Sequence, residues 1–129
     1  MARVIVLDAN VLIAAFNSKD THHEWAINFI TDTAAEDLVL SALTYAEILV
    51  NPTRHGILEK FRKSVDSLGY LVAPISAEDA VAIAKVRSET GLRMPDAVVI
   101  HTARANSAAL ATADEKVARE ARNRGITVY

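Results

Sequence analysis

Four acidic side chains stand at positions where carboxylates could act together. Asp8 directly follows one apolar run, and Asp114 comes shortly after another. Glu47 stands a few residues past a third apolar run, and Asp96 opens a helical pattern. If the runs are neighbouring parallel strands, the carboxyl ends of the strands bring all four carboxylates to one edge of a sheet.

Such a cluster predicts a bound cation. Four carboxylates in a partly buried site would repel one another by several kcal/mol. A hard divalent cation would remove that cost, and oxygen ligands suit Mg²⁺ or Mn²⁺. The sequence contains no cysteine, which excludes a thiolate metal site and a disulfide framework.

Taken one at a time, most of these acids have an ordinary structural explanation. Asp96 and Asp114 would complement a helix macrodipole by about 0.3–1 kcal/mol. Glu47 would complete a capping box with Thr44. Asp8 is harder to explain in this way, because a strand end flanked by Val, Ile and Leu has little need of a charge. The joint arrangement, rather than any single acid, predicts the site.

Alternating strand and helix patterns supply the framework for these acids. Strands are predicted at 2–7, 38–41, 70–73, 109–112 and 126–129. Helices are predicted at 10–16, 21–32, from Thr44, from Pro52 to 68, from the Ser76 cap to Gly91, at 95–105 and at 114–124. This order predicts an α/β fold with a mostly parallel five-stranded sheet and helices on both faces. The length of 129 residues fits a single domain spanning 1–129.

The composition agrees with that architecture and narrows the partners. Hydrophobic residues make up 51% of the chain but aromatic residues only 5%, so the core must be aliphatic, as is typical of helices on a parallel sheet. No apolar run approaches the ~20 residues of a membrane span, and no signal peptide is recognisable. We therefore expect a cytoplasmic protein without membrane contact. The net charge of −2 offers no general attraction to nucleic acid.

Four segments, in this order, carry a family resemblance. VLDANVLI (6–13), TYAE (44–47), MPDAVVIHTA (94–103) and LATADEK (110–116) resemble the PIN-domain nucleases, particularly the toxins of VapBC-type toxin–antitoxin pairs. The resemblance covers nearly the whole chain. It implies a three-layer α/β/α sandwich, Mg²⁺-dependent endoribonuclease activity and a homodimer. It also implies a cognate antitoxin with a segment lying across the active-site groove.

The family's catalytic acids fall on Asp8, Glu47, Asp96 and Asp114. We expect Asp8, Asp96 and Asp114 to bind Mg²⁺ or Mn²⁺, which would activate water for the hydrolysis of RNA phosphodiesters. Glu47 either binds metal, directly or through water, or acts on the attacking water.

Three further residues complete the expected site, and a fourth position departs from the family pattern. Asn10 and Thr112 match small polar residues of the family pattern, and we expect them to orient the carboxylates. Arg93 precedes Asp96 by three residues, so it either contacts a substrate phosphate or forms an ion pair with Asp96. Val117 stands where many relatives carry another acid, which leaves fewer ligands for a second ion.

Other functions remain open from the sequence. A housekeeping PIN nuclease of RNA processing and a catalytically inactive PIN-like binding module share these motifs. A receiver domain would need two acids after the first strand, and a haloacid-dehalogenase-type phosphatase would need D-x-D where Asp8-Ala9-Asn10 stands. A metal-free ribonuclease would need paired histidines. Spacing indicates no such pairing among His22, His23, His55 and His101.

We expect apolar residues of the first two predicted helices to surround the groove and to support self-association. These residues are Val11, Leu12, Ile13, Phe16, Trp25 and Phe29.

Overall fold

The computed structural model describes residues 2–129, which form a parallel sheet covered by helices. The strands are β1 (Val4–Leu7), β2 (Asp37–Ser41), β3 (Leu71–Ala73) and β4 (Ala109–Ala111). The helices are α1 (Ala9–Ala15), α2 (His23–Asp32), α3 (Ala42–Arg54), α4 (Leu58–Asp66), α5 (Ala77–Thr90), α6 (Met94–Ala105) and α7 (Glu115–Asn123). The predicted α/β class and parallel pairing are confirmed.

The sheet has the strand order β3-β2-β1-β4, with every neighbouring pair parallel. In the register, Val6 of β1 lies between Val39 of β2 and Leu110 of β4. β1 is therefore a central strand with both edges paired, and this explains its unbroken β-branched and aliphatic sequence.

Alternate residues of the strands point into two separate cores. Val6, Val39 and Leu110 pack with α5, α6 and α7 on one face. Ile5 and Leu40 pack with α1 to α4 on the other face. The result is three layers, with the sheet in the middle.

The predicted fifth strand is wrong. Residues 126–129 pair with β4 at a single parallel bridge, between Leu110 and Val128. The Leu110 N–H donates to Thr127 O, and the Tyr129 N–H donates to Leu110 O, each over 2.9 Å. The next contact, from Thr112 N to Tyr129 O, is already 3.5 Å long. The pairing therefore ends after one residue, and the described chain has a four-stranded sheet.

The helix predicted to start at Pro52 is also wrong. Pro52 is buried inside the last turn of α3, where its missing N–H removes one hydrogen bond near the helix end. The chain turns instead at Gly56, whose φ of +71° lies in the left-handed region, and α4 begins at Leu58. By contrast, the predicted Ser76 cap and Gly91 stop of α5 are confirmed.

The structure changes the predicted association surface. Val11 and Leu12 are completely buried, and Phe29 is 9% exposed, so these three side chains belong to the core. Trp25 is partly buried and stacks on Phe29. Only Ile13 and Phe16 of the predicted set are exposed. None of the helices in the described part of the chain has the length and apolarity needed to span a bilayer.

Candidate active site

The strand order places two loops side by side at one edge of the sheet. From β1 the chain continues to β2 and β3 on one side, whereas β4 returns to pair with the other side of β1. Asp8 follows β1, and Thr112 to Asp114 follow β4. The Asp8 N–H donates to Ala111 O over 3.0 Å, which joins the two strand ends. This is the reversal point where α/β sheets bind ligands.

Asn10 and Thr112 hold the Asp8 carboxylate in place. Thr112 Oγ1 donates to Asp8 Oδ2 over 2.9 Å, and Asn10 Nδ2 donates to the same oxygen over 3.2 Å. Asn10 Nδ2 also donates to Thr112 Oγ1 over 3.2 Å, and the Ala113 N–H donates to Asn10 Oδ1 over 3.1 Å. These contacts suit the orienting role expected for both residues.

Asp114 has a structural role at the start of α7. Its Oδ1 accepts hydrogen bonds from Lys116 N over 2.9 Å and from Val117 N over 3.2 Å, which caps the helix. The Asp114 N–H donates to Thr112 Oγ1 over 3.1 Å. Within residues 2–129, Oδ2 of Asp114 accepts no hydrogen bond and stays available to a ligand.

Glu47 does not form the capping box with Thr44 that the sequence predicts. Ser41 is the N-cap of α3, and its Oγ accepts the Thr44 N–H over 3.0 Å. Thr44 therefore lies inside the helix, too far along the chain to form a capping box with Glu47. With that explanation removed, Glu47 remains as an acid that lines the same cavity as Asp8.

Asp96 lies in the first turn of α6, and its exposed fraction is only 8%. Pro95 in the same turn fixes the start of the helix. Arg93 Nε lies 3.5 Å from Asp96 Oδ2, so the ion pair, which is one of the two roles predicted for Arg93, is present. The Arg93 side chain is nevertheless 79% exposed, so its guanidinium can also be reached by a ligand.

One cavity of about 210 Å³ brings these side chains together. It is lined by Asp8, Ala9, Asn10, Ile13, Asp20, His22, Glu47, Arg93, Pro95, Asp96 and Asp114. Thr112 lies behind Asp8 and is buried. Sequence reasoning missed Asp20 and His22, because the loop between α1 and α2 shows no periodicity that would place it over the sheet edge.

Burial and mutual repulsion perturb two of the carboxylates. Burial raises the pKa of Asp8, and the charges of Asp96 and Asp114 raise it further against the lowering effect of the Thr112 hydrogen bond. Burial also raises the pKa of Glu47, with further contributions from Asp8 and Asp96 and an opposing effect of Arg93. The four acids therefore share one electrostatic environment, in which a cation would be stabilised.

The donor set fits a hard divalent cation. Every carboxylate of the cavity offers oxygen, and the cavity wall contains no sulfur ligand. Among residues 2–129, no three acidic or histidine side chains are already gathered tightly enough to form a metal centre. Metal binding would therefore require side chains to rotate toward one another.

The α7 sequence limits the number of ligands. Val117 is completely buried and packs in the core beneath α7. Glu115 is exposed and lies outside the cavity. Neither position adds a carboxylate to the four described above.

Comparison with known proteins agrees with this architecture. The family model of the PIN domain matches residues 5–123. The crystal structure of FitAcB from Neisseria gonorrhoeae superposes with a TM-score of 0.77 at 23% identity, covering 97% of this chain and 96% of that chain. VapBC2 from Rickettsia felis, bound to a DNA fragment from its promoter, gives a TM-score of 0.69 at 17% identity over 98% and 97% of the two chains.

A toxin–antitoxin complex from Klebsiella pneumoniae gives a TM-score of 0.68 at 23% identity, covering 85% of this chain and 86% of that chain. No curated protein sequence matches the chain. At these identities the structural likeness shows the fold alone, whereas the family match extends over nearly all of the sequence. The chain belongs to the PIN domain family.

Proposed function

We propose that this protein is a Mg²⁺- or Mn²⁺-dependent endoribonuclease. The observation that carries the proposal is that Asp8, Glu47, Asp96 and Asp114 line one cavity at the reversal point of the sheet. Membership of the PIN domain family supports nuclease chemistry over the other reactions that an acidic cavity could perform.

In this proposal, Asp8, Asp96 and Asp114 would hold the cation, and Glu47 is the fourth acid beside them. When bound, the cation supplies a water of lowered pKa and neutralises charge on the phosphodiester. Glu47, whose own pKa is raised, is suited to accept a proton at its carboxylate from the attacking water. The exposed Arg93 guanidinium is placed to bind a phosphate oxygen.

The protein's products test this mechanism. We expect cleavage of single-stranded or loop RNA only with Mg²⁺ or Mn²⁺, and EDTA should abolish it. End-labelling should show 5′-phosphate and 3′-hydroxyl ends, because water attacks the phosphorus. Products with 2′,3′-cyclic phosphates would require attack by the 2′-hydroxyl and would contradict the mechanism. A protein that binds RNA without cutting it under any metal condition would instead be an inactive binding module.

We further propose that the protein is the toxin of a toxin–antitoxin pair. The structural neighbour from Klebsiella pneumoniae is described as a toxin–antitoxin complex, which supports this assignment over a housekeeping nuclease. An apolar groove of about 390 Å³ between α1, α3 and α4 adjoins the acidic cavity, since Ile13 lines both. Phe16 and Phe61 meet in this groove with ring centroids 4.9 Å apart.

An antitoxin segment would place apolar side chains in the groove and reach the acidic cavity. Phe16→Asp should then abolish co-purification with the product of a short neighbouring reading frame, because a charge enters the apolar groove. Exposed Val81→Asp on α5 is the control and should leave co-purification intact. If the expressed parent is toxic but no neighbouring reading frame encodes a protein that neutralises it, the housekeeping alternative is favoured.

A further inference from the structure

The four histidines differ in how their imidazoles are used. His23 Nδ1 lies 2.7 Å from Ala14 O, and His55 Nδ1 lies 2.8 Å from Asn51 O. His101 Nε2 lies 2.8 Å from Asp79 Oδ1. The His22 side chain makes no hydrogen bond with any residue in the range 2–129, although its backbone N–H does. One imidazole is therefore free, and that imidazole lines the acidic cavity.

The backbone around His22 is well defined. The loop between α1 and α2 turns at Asn17, whose carbonyl accepts the Asp20 N–H over 3.0 Å. Asp20 Oδ1 then accepts the His22 N–H over 2.8 Å, and Asp20 O accepts the His23 N–H over 3.1 Å. The contact of His23 with the end of α1 ties the start of α2 to that helix. These bonds position the neighbouring imidazole at the cavity wall.

A phosphodiester entering this cavity needs hydrogen-bond donors, since most of the charged side chains on the wall are acidic. Asn10 Nδ2 donates to Asp8 Oδ2 and to Thr112 Oγ1, so this amide is committed within the protein. Only Arg93 and His22 then remain as side-chain donors on the wall. Burying phosphate oxygens without donors is costly, whereas a hydrogen bond to a charged group is comparatively strong.

We propose that His22 is a substrate-binding residue, whose imidazole N–H donates to a phosphodiester oxygen of the RNA while Arg93 binds from another part of the wall. This inference rests on the proposed ribonuclease function. It assigns His22 neither to the metal nor to the proton transfers of the reaction. The contact exists in the bound substrate as well as in the transition state, so its loss should weaken binding rather than chemistry.

Steady-state cleavage of a labelled single-stranded oligoribonucleotide tests the assignment. His22→Ala should raise KM about 10-fold, the effect of losing a hydrogen bond to a charged group, with little change in kcat. His22→Gln should restore part of the affinity, because its amide is also a donor. His55→Gln removes an imidazole outside the acidic cavity and should leave both constants unchanged.

A second measurement separates substrate binding from metal binding. Addition of Mg²⁺ alone should raise the melting temperature of His22→Ala as much as that of the parent. If the variant loses this response, His22 is a metal ligand and the assignment is overturned. A fall in kcat without a change in KM, or kinetics identical to the parent, would overturn it equally. A parent protein that does not cleave RNA would overturn the proposed function itself.

Discussion

Asp96 combines two electrostatic roles that a substitution can separate. Its charge complements the start of α6 and pairs with the exposed Arg93, whereas it repels Asp8 and Glu47 in the cavity. An ion pair with one largely exposed partner contributes about 0–1 kcal/mol, and the helix dipole contributes a similar amount. Repulsion from two nearby carboxylates in a partly buried cavity should outweigh these contributions when no metal is present.

Asp96→Asn should therefore be at least as stable as the parent in EDTA. The parent should gain about 1.4 kcal/mol from Mg²⁺ at ten times Kd, and the variant clearly less. Cleavage should fall on the order of 100-fold, because even outer partners of metal sites contribute 10–100-fold. Melting curves with and without Mg²⁺, beside a cleavage assay, measure all three effects.

Glu78→Gln is the matched control, since Glu78 is exposed in the first turn of α5 and lies outside the cavity. It should show a small loss of stability and the full Mg²⁺ response. An Asp96→Asn protein that is less stable in EDTA, still cuts RNA and still responds to Mg²⁺ would reduce Asp96 to an ordinary helix-start residue.

Thr112 is the buried hydroxyl on which the strand-end network depends. Its single proton goes to Asp8 Oδ2, and its oxygen accepts from Asn10 Nδ2 and Asp114 N. Thr112→Val keeps the shape but leaves these groups without a partner, so it should lower the free energy of unfolding by about 1–3 kcal/mol. Thr112→Ser should recover most of the loss in urea denaturation. Equal stability of the valine variant and the parent would show that water replaces the hydroxyl.

At the scale of elements, a pair of side chains ties α5 to α6. Asp79 accepts from His101 Nε2 over 2.8 Å and from the Ser76 N–H over 2.8 Å in the capping box of α5. The backbone hydrogen bond from Ser76 lowers the pKa of Asp79 most, and the His101 hydrogen bond contributes next, which brings it to about 2. Because the folded pKa is depressed, this carboxylate stabilises the fold where it is ionised.

Asp79→Asn should therefore destabilise the protein in a pH-dependent way. The difference from the parent should be complete above about pH 5 and should fall as the pH drops from the ordinary aspartate pKa near 3.8 through about 2. Urea midpoints measured from pH 2 to 7 follow this change. A difference that stays constant across the range would show that the loss is steric.

Sequence patterns predicted the order of the elements better than their ends. The central strand β1 and the α5 caps could be recognised, because periodicity, Ser76 and Gly91 are local signals. The fifth strand and the helix start at Pro52 failed, because pairing length and proline tolerance depend on tertiary contacts. The presence of Asp20 and His22 in the cavity could not be predicted for the same reason, since their loop reaches the site only through tertiary packing.

At the scale of the whole molecule, the outer edge of the sheet is the candidate surface for self-association. β3 is an edge strand, and Leu71 and Val72 are 61% and 44% exposed, with Ile75 close behind in the chain. We expect the isolated protein to self-associate at micromolar concentrations, because apolar strand edges favour pairing. Leu71→Lys should shift light scattering toward the monomer mass, whereas Phe16→Asp in the apolar groove should not. A parent of monomer mass throughout would refute the prediction.

The hydrogen bond between Thr112 and Asp8 also determines when activity can arise during synthesis. It joins residues 104 positions apart, and the carboxylate set extends two residues further, from Asp8 to Asp114. Contacts of such large sequence separation form only after the intervening chain exists and has been brought back. A nascent chain in which Asp8 and Glu47 have emerged from the ribosome, but β4 has not, lacks the strand that aligns these two acids. If the protein cuts RNA, translation of its own messenger would therefore have to pass the codon of Asp114 before a competent active site could exist.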